Sequence, residues 1–141
     1  MGASVFSKII AGELPGRFVW QDERAVAFLT ISPIQPGHTL VVPREQVDHW
    51  QRIDPELMTH LSRVAQAVGR AIEKVWQPER VGMMIAGLEV PHLHVHVLPI
   101  WGMRDMDFAR ADSNAKAAAL DESADKIRAA LRDLGYDEVS D

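Results

Sequence analysis

The sequence predicts an α+β fold, an antiparallel sheet of about five strands layered against helices. Three observations carry this. Short runs of β-branched and aromatic residues follow one another through turn residues. One long stretch between them repeats its apolar residues at helical spacing. The run Val90-Pro91-His92-Leu93-His94-Val95-His96-Val97-Leu98-Pro99 alternates residue by residue, the mark of a strand with two unlike faces.

Taken in order, Ser4 to Ala11 places Val5, Phe6, Ile9 and Ile10 on a short amphipathic helix, with Ser4 as N-cap and Gly12 and Pro15 ending it. Arg17–Gln21 and Arg24–Ile31 read as two strands joined by a turn at Asp22-Glu23. Ser32 to Gly37 is a loop, and its two prolines and glycine fix where His38 enters the strand His38–Pro43. Asp54 and Pro55 then supply an N-cap and a first-turn proline for the longest helix. Its stripe is Leu57, Leu61, Val64, Val68, Ile72 and Val75, at steps of four and three. His60 at the stripe's edge and His49 before the helix read as ordinary, partly exposed histidines.

Arg80–Ala86 reads as a fourth strand, and Gly87-Leu88-Glu89 as the turn into the histidine strand. Ile100 to Asp112 has no period. Leu120, Ala124, Ile127, Leu131 and Leu134 mark a final helix capped by Gly135, followed by an acidic tail expected to be mobile. At 141 residues the chain is expected to be one domain, with its core at about 5–101 and residues 102–141 as an extension carrying the last helix.

Composition narrows the function classes. A formal charge of -5 leans against a nucleic-acid backbone as partner. No stretch approaches the roughly 20 apolar residues of a membrane span, and no secretory signal is visible, so a cytoplasmic protein is the expectation. With no cysteine, disulfides, thiolate metal sites and cysteine nucleophiles are excluded.

The chemistry lies in the histidine strand. Leu93, Val95 and Val97 would line one face and His92, His94 and His96 the other, about 7 Å apart, near enough for all three to surround one small anion. A single strand histidine is usually just a half-buried residue. Three in register are different, because imidazole titrates near neutrality and crowding disfavours protonating all of them. At least one ring is then neutral and nucleophilic.

His-x-His-x-His with apolar residues between resembles the histidine triad (HIT) family of nucleotide-binding hydrolases and transferases. The resemblance extends to Phe6-Ser7-Lys8-Ile9-Ile10-Ala11-Gly12-Glu13-Leu14-Pro15, to Ala27-Phe28-Leu29-Thr30-Ile31-Ser32-Pro33, and to Pro36-Gly37-His38-Thr39-Leu40-Val41-Val42-Pro43. It implies attack by the middle histidine, His94, on the α-phosphorus of a nucleotide ester, anhydride or phosphoramidate, then release of a nucleoside monophosphate by water. His94 would stay unprotonated at one nitrogen by donating from the other to a backbone carbonyl near His92. His96 would contact phosphate oxygens, with His92 and His38 as the supporting shell. Phe6, Ile9, Leu14, Phe28, Leu29, Ile31 and Leu40 would line the nucleoside pocket, Thr30 would stand near the ribose, and the backbone N–H groups of Glu89 and Val90 would hold phosphate. For Ile9, Ile31 and Leu40, plain core residues are a nearly equal reading.

The family further implies no cofactor for the chemistry, a purine nucleotide-type small molecule as partner, and a homodimer joined edge to edge, with Trp76 and Trp101 as candidate anchors. Three departures stand out. Many bacterial members carry a structural zinc site, and its places hold Ser4, Ser7 and Gln46 here, which argues that no metal is bound and that packing alone holds the N-terminal turn. The usual acidic residue at the ribose is Thr30. The glutamine usual just before the triad is Leu88. A nucleotide-binding protein of the same fold with negligible turnover, and a histidine-based metal site, are the competing readings.

Overall fold

A computed structural model of the chain describes residues 2–141. Five strands form one antiparallel sheet: β1 (Phe18–Gln21), β2 (Ala25–Leu29), β3 (Thr39–Pro43), β4 (Arg80–Met84) and β5 (Val95–Ile100), in the spatial order β1-β2-β3-β5-β4. Helix α1 (Val5–Ile10) precedes the sheet, α2 (Pro55–Trp76) connects β3 to β4, and α3 (Ala117–Asp133) follows β5. The expected α+β fold is the one observed.

The long helix begins as its sequence dictates. The Asp54 carboxylate accepts the Glu56 N–H at 3.1 Å, and Pro55 opens the first turn, where its missing donor costs nothing. It ends at Gln77, whose left-handed φ of 49° lets its N–H reach Glu73 O. Leu57, Leu61, Val64, Val68 and Ile72 are buried against the sheet, and Val75 is partly so. Fully burying a side chain such as Leu61 or Ile72 contributes about 1.5–3 kcal/mol.

α3 adds Ala124, Ile127, Ala130 and Leu131 to the same core. Leu134, expected on its stripe, lies beyond the helix and is 43 % exposed, because the chain has already turned toward Gly135 at φ 91°.

Every side chain of β2 and β3 is buried. Ala25, Ala27, Leu29 and Val41 pack toward the two long helices, while Val26, Phe28, Leu40 and Val42 form a second cluster with Phe6 on the opposite face. Asp22 ties the β1–β2 turn by accepting from the amides of Arg24 and Ala25 at 2.7 and 2.8 Å.

Two expectations need correction. The histidine strand does not start at Val90; its ladder opens only at Val95. Pro91 has no N–H to give, the His92 N–H turns back to Val90 O, and the Leu93 N–H goes to Val47 O. The acidic tail is not free either. Gln21 donates to Glu138 O at 2.9 Å, Ser140 donates to Val19 O at 3.2 Å, and Val139 bridges Trp20, so the tail pairs along β1. Residues 100–112, without period in the sequence, form two short 3₁₀ turns, Met103–Met106 and Phe108–Arg110. Among the described residues no helix is long and apolar enough to cross a membrane.

Candidate active site

Alternation along the histidine segment survives the late start of β5. Leu93, Val95 and Val97 lie in the helix-side core, and the three histidines fall on the face shared with Phe6. They do not all reach one space, as the alternation suggested. His92 is fully buried beneath the surface, whereas His94 and His96 border a cavity of about 520 Å³.

The other walls of that cavity come from α1, the chain leading into β1, β2 and the turn before the triad. Phe6, Ile9, Leu14, Phe28, Leu29, Thr30, Ile31 and Leu40 border it, as do Glu89 and Val90. Phe6, Phe28 and Leu40 also belong to the packed cluster beneath, so one set of side chains serves as both core and wall. Leu88 stands apart: Gly87, at φ 73°, swings it into solvent, where it is 93 % exposed. Sequence reasoning did not single out Val5, Pro15, Gly16, Arg17 and Ser32, which complete the lining. A larger groove of about 640 Å³, lined by Arg63, Arg70, Glu73 and Met83, runs between α2 and β4 and touches none of the histidines.

Hydrogen bonds assign a proton to one nitrogen of every ring. His94 Nδ1 lies 2.7 Å from His92 O; a carbonyl only accepts, so Nδ1 carries the hydrogen and Nε2 holds a lone pair. His38 Nδ1 accepts the Ile34 N–H at 3.1 Å, which puts the His38 hydrogen on Nε2, 2.9 Å from His96 Nδ1. His96 therefore accepts at Nδ1 and presents Nε2–H as a donor. His92 Nε2 donates to Pro43 O at 2.8 Å, leaving its Nδ1 as an acceptor.

Burial lowers the pKa of three of these rings, His38, His92 and His96. It lowers His38 to about 3, helped by the neighbouring His96, and lowers His96 to about 4, helped by His94. His92 is lowered too, by burial first, against the opposing pull of the Pro43 carbonyl. The hydrogen bonds leave one nitrogen without a protein partner on each ring at the cavity, Nε2 of His94 and the donor Nε2–H of His96.

Phe108 is the residue that the sequence hid. It lies in the segment without period, yet its ring meets His96 edge-on at a centroid distance of 4.8 Å. Asp105 anchors this segment by accepting from the amides of Trp101 and Gly102 and from Gln35 Nε2 at 2.7 Å. The Trp101 amide, then Gln35 and Gly102, hold its carboxyl below the usual range despite burial.

The zinc implied for many relatives does not fit here. Ser4, Ser7 and Gln46 do converge on His92, but as two hydroxyls and a carboxamide already bonded to one another, and zinc takes thiolate, imidazole and carboxylate ligands. Nor does packing alone hold the N-terminal turn, as the sequence suggested: a hydrogen-bond network does. Among the described residues no group of three or more His, Cys, Asp or Glu side chains is placed to hold a metal ion.

Comparison with known proteins gives a consistent result. The HIT domain model matches residues 11–102. The Protein hit of Bacillus subtilis is 34% identical over 106 residues, covering 72% of this chain and 73% of that protein. A bis(5'-nucleosyl)-tetraphosphatase (asymmetrical) of Schizosaccharomyces pombe is 32% identical over 112 residues, 76% of this chain and 58% of that enzyme. The crystal structure of a hypothetical histidine triad nucleotide-binding protein from Sulfolobus tokodaii superposes with a TM-score of 0.79 at 27% identity, covering 92% of both chains. With its cavity, its ordered imidazoles and these relatives, the chain belongs to the histidine triad family.

Proposed function

We propose that the protein is a hydrolase cleaving a nucleotidyl ester, anhydride or phosphoramidate at the α-phosphorus, through a covalent intermediate on His94. The observation that carries this is the 2.7 Å bond from His94 Nδ1 to His92 O, which leaves Nε2 as the nitrogen without a protein partner on a ring that borders the cavity. The nucleoside would sit in the apolar part of the cavity, between Phe6, Ile9, Phe28 and Leu40, with its α-phosphate at His94.

In the first step Nε2 forms a bond to phosphorus, and the bond to the leaving group breaks with its electron pair going to that group. The positive charge left on the ring is stabilised by the His92 carbonyl opposite Nδ1–H. Neutral His96 donates a hydrogen bond from Nε2 to a phosphate oxygen rather than giving up its proton. Among the described residues the amides of Glu89 and Val90 donate to no protein acceptor, which suits them to the same anion. Water then attacks phosphorus, the P–N bond breaks with its electron pair returning to His94, and a nucleoside monophosphate leaves, while the proton lost by the water balances the one that the departed leaving group takes from solvent.

Thr30 Oγ1 already accepts the Ser32 N–H at 3.2 Å, so the ribose would meet a single engaged hydroxyl here rather than a carboxylate. The family likeness also implies a homodimer. β4 is an edge strand that shows Met83 59 % exposed, and a second copy would pair along it. Trp76 is spent inside the chain against Gly37, while Trp101 stays 49 % exposed.

Acid-quenched mixtures of the protein with an adenylated amine test the reaction. We expect AMP release and an adenylated protein modified at His94, with His94→Ala binding AMP but forming neither product. Tight AMP binding without turnover by the unaltered chain would favour a binding protein instead.

A further inference from the structure

The polar cluster under the N-terminal turn joins residues 88 positions apart, and its hydrogens can be assigned one by one. Pro43 O takes the His92 Nε2–H, so His92 Nδ1 is an acceptor, and the Ser4 hydroxyl 2.6 Å away must be its donor. With its one hydrogen committed, Ser4 Oγ accepts the Ser7 N–H at 2.9 Å. The Ser7 hydroxyl donates to Gln46 Oε1 at 2.8 Å, and the same oxygen takes the Ser4 N–H at 2.8 Å. Gln46 Nε2 closes the set on Gly2 O at 3.2 Å. Ser4 and His92 are both buried, so water does not compete for these bonds.

We propose that Ser4 is a positioning residue for the nucleophile: its hydroxyl fastens His92 from the side opposite Pro43 and thereby aims the His92 carbonyl that holds His94. A ring bonded at both nitrogens cannot turn about its Cβ. The backbone of residue 92, whose oxygen receives His94 Nδ1–H, inherits that fixity. Without the Ser4 donor, His92 can take the other tautomer or swing away from Pro43, and the His94 lone pair loses its heading. A small misplacement of a reacting atom is costly in rate. The inference rests on His94 being the nucleophile.

Ser4 also caps α1, and the test must separate capping from aiming. Glycine is nearly as good an N-cap as serine and carries no side chain, so Ser4→Gly largely keeps the cap and removes the bond to Nδ1. Ser4→Thr keeps both. We expect 15N NMR of the unaltered chain to show neutral His92 protonated at Nε2, and Ser4→Gly to populate the tautomer protonated at Nδ1.

In single-turnover mixing with an adenylated amine, Ser4→Gly should form the adenylated protein roughly tenfold slower or worse at an AMP affinity within about twofold of normal. Ser4→Thr should recover most of the rate. Ser7→Ala, which leaves the Ser4–His92 bond in place, should leave the His92 tautomer alone. Protonation of His92 at Nδ1 in the unaltered chain, or an undiminished rate in Ser4→Gly, would overturn the proposal. The NMR reading stands even if no adenylated protein ever forms, in which case the proposed reaction fails and the Ser4–His92 lock is judged separately.

Discussion

His38 Nε2 lies 2.9 Å from His96 Nδ1, although the two residues are 58 positions apart. The bond links the chain entering β3 to β5, the strand beside it, and its direction is set from outside by the Ile34 amide. An orphaned acceptor on His96 should follow from His38→Ala, together with a void in a buried position. The expected loss is about 2–4 kcal/mol in urea unfolding, with a slower adenylation step; a loss below about 1 kcal/mol would show that the pair is not structural.

Acid should weaken the fold through these same two rings. In the unfolded chain each titrates near 6.5, and in the fold near 3 for His38 and 4 for His96. Between those limits the unfolded chain binds protons that the native chain refuses. The stabilisation is complete above about pH 6.5 and is lost as pH falls through the folded values. Each ring contributes a slope of up to ~1.4 kcal/mol per pH unit. Urea midpoints measured from pH 6.5 to 5 should fall in the unaltered chain and fall less steeply in His38→Asn. Equal slopes would refute the assignment to His38.

Gly37 should tolerate no side chain. Its φ is 90°, and a Cβ built on it would meet the Trp76 ring at 2.6 Å. Gly37→Ala is expected to cost about 2 kcal/mol or more, from backbone strain and from displacing the end of α2. Because Gly37 precedes His38, the same variant should disturb the His38 ring resonances, and unchanged spectra would count against the close contact.

Removing Phe108 should affect His96 more than the fold. The ring is 38 % exposed, so Phe108→Ala should cost at most about 1.5 kcal/mol. It would open His96 to water, and burial is the main cause of its lowered pKa. NMR titration should therefore find the His96 pKa raised from about 4 toward its ordinary value. A His96 that titrates as before would mean that Phe108 does not shield it.

Much of this architecture could be read before any coordinates, for physical reasons. Ser4 and Asp54 cap helices because their side chains accept from amides two or three residues on, and such local chemistry is written in a short span. The stripe from Leu57 to Ile72 and the alternation from Leu93 to Val97 are equally local, and both mark the buried face correctly. The misses are contacts between distant positions. Nothing near Phe108 reveals that it will reach His96, and nothing near Ser4 points to His92. The late start of β5 was hidden because side-chain alternation persists where backbone pairing does not.

The proton on each ring is governed by a main-chain atom: His92 O for His94, Pro43 O for His92, and the Ile34 amide, through His38, for His96. A peptide oxygen has no codon of its own, so no point mutation deletes it. Substitutions can remodel the aromatic and aliphatic panels of the chamber, and with them the guests it admits, without removing the carbonyl oxygens that meet His94 and His92.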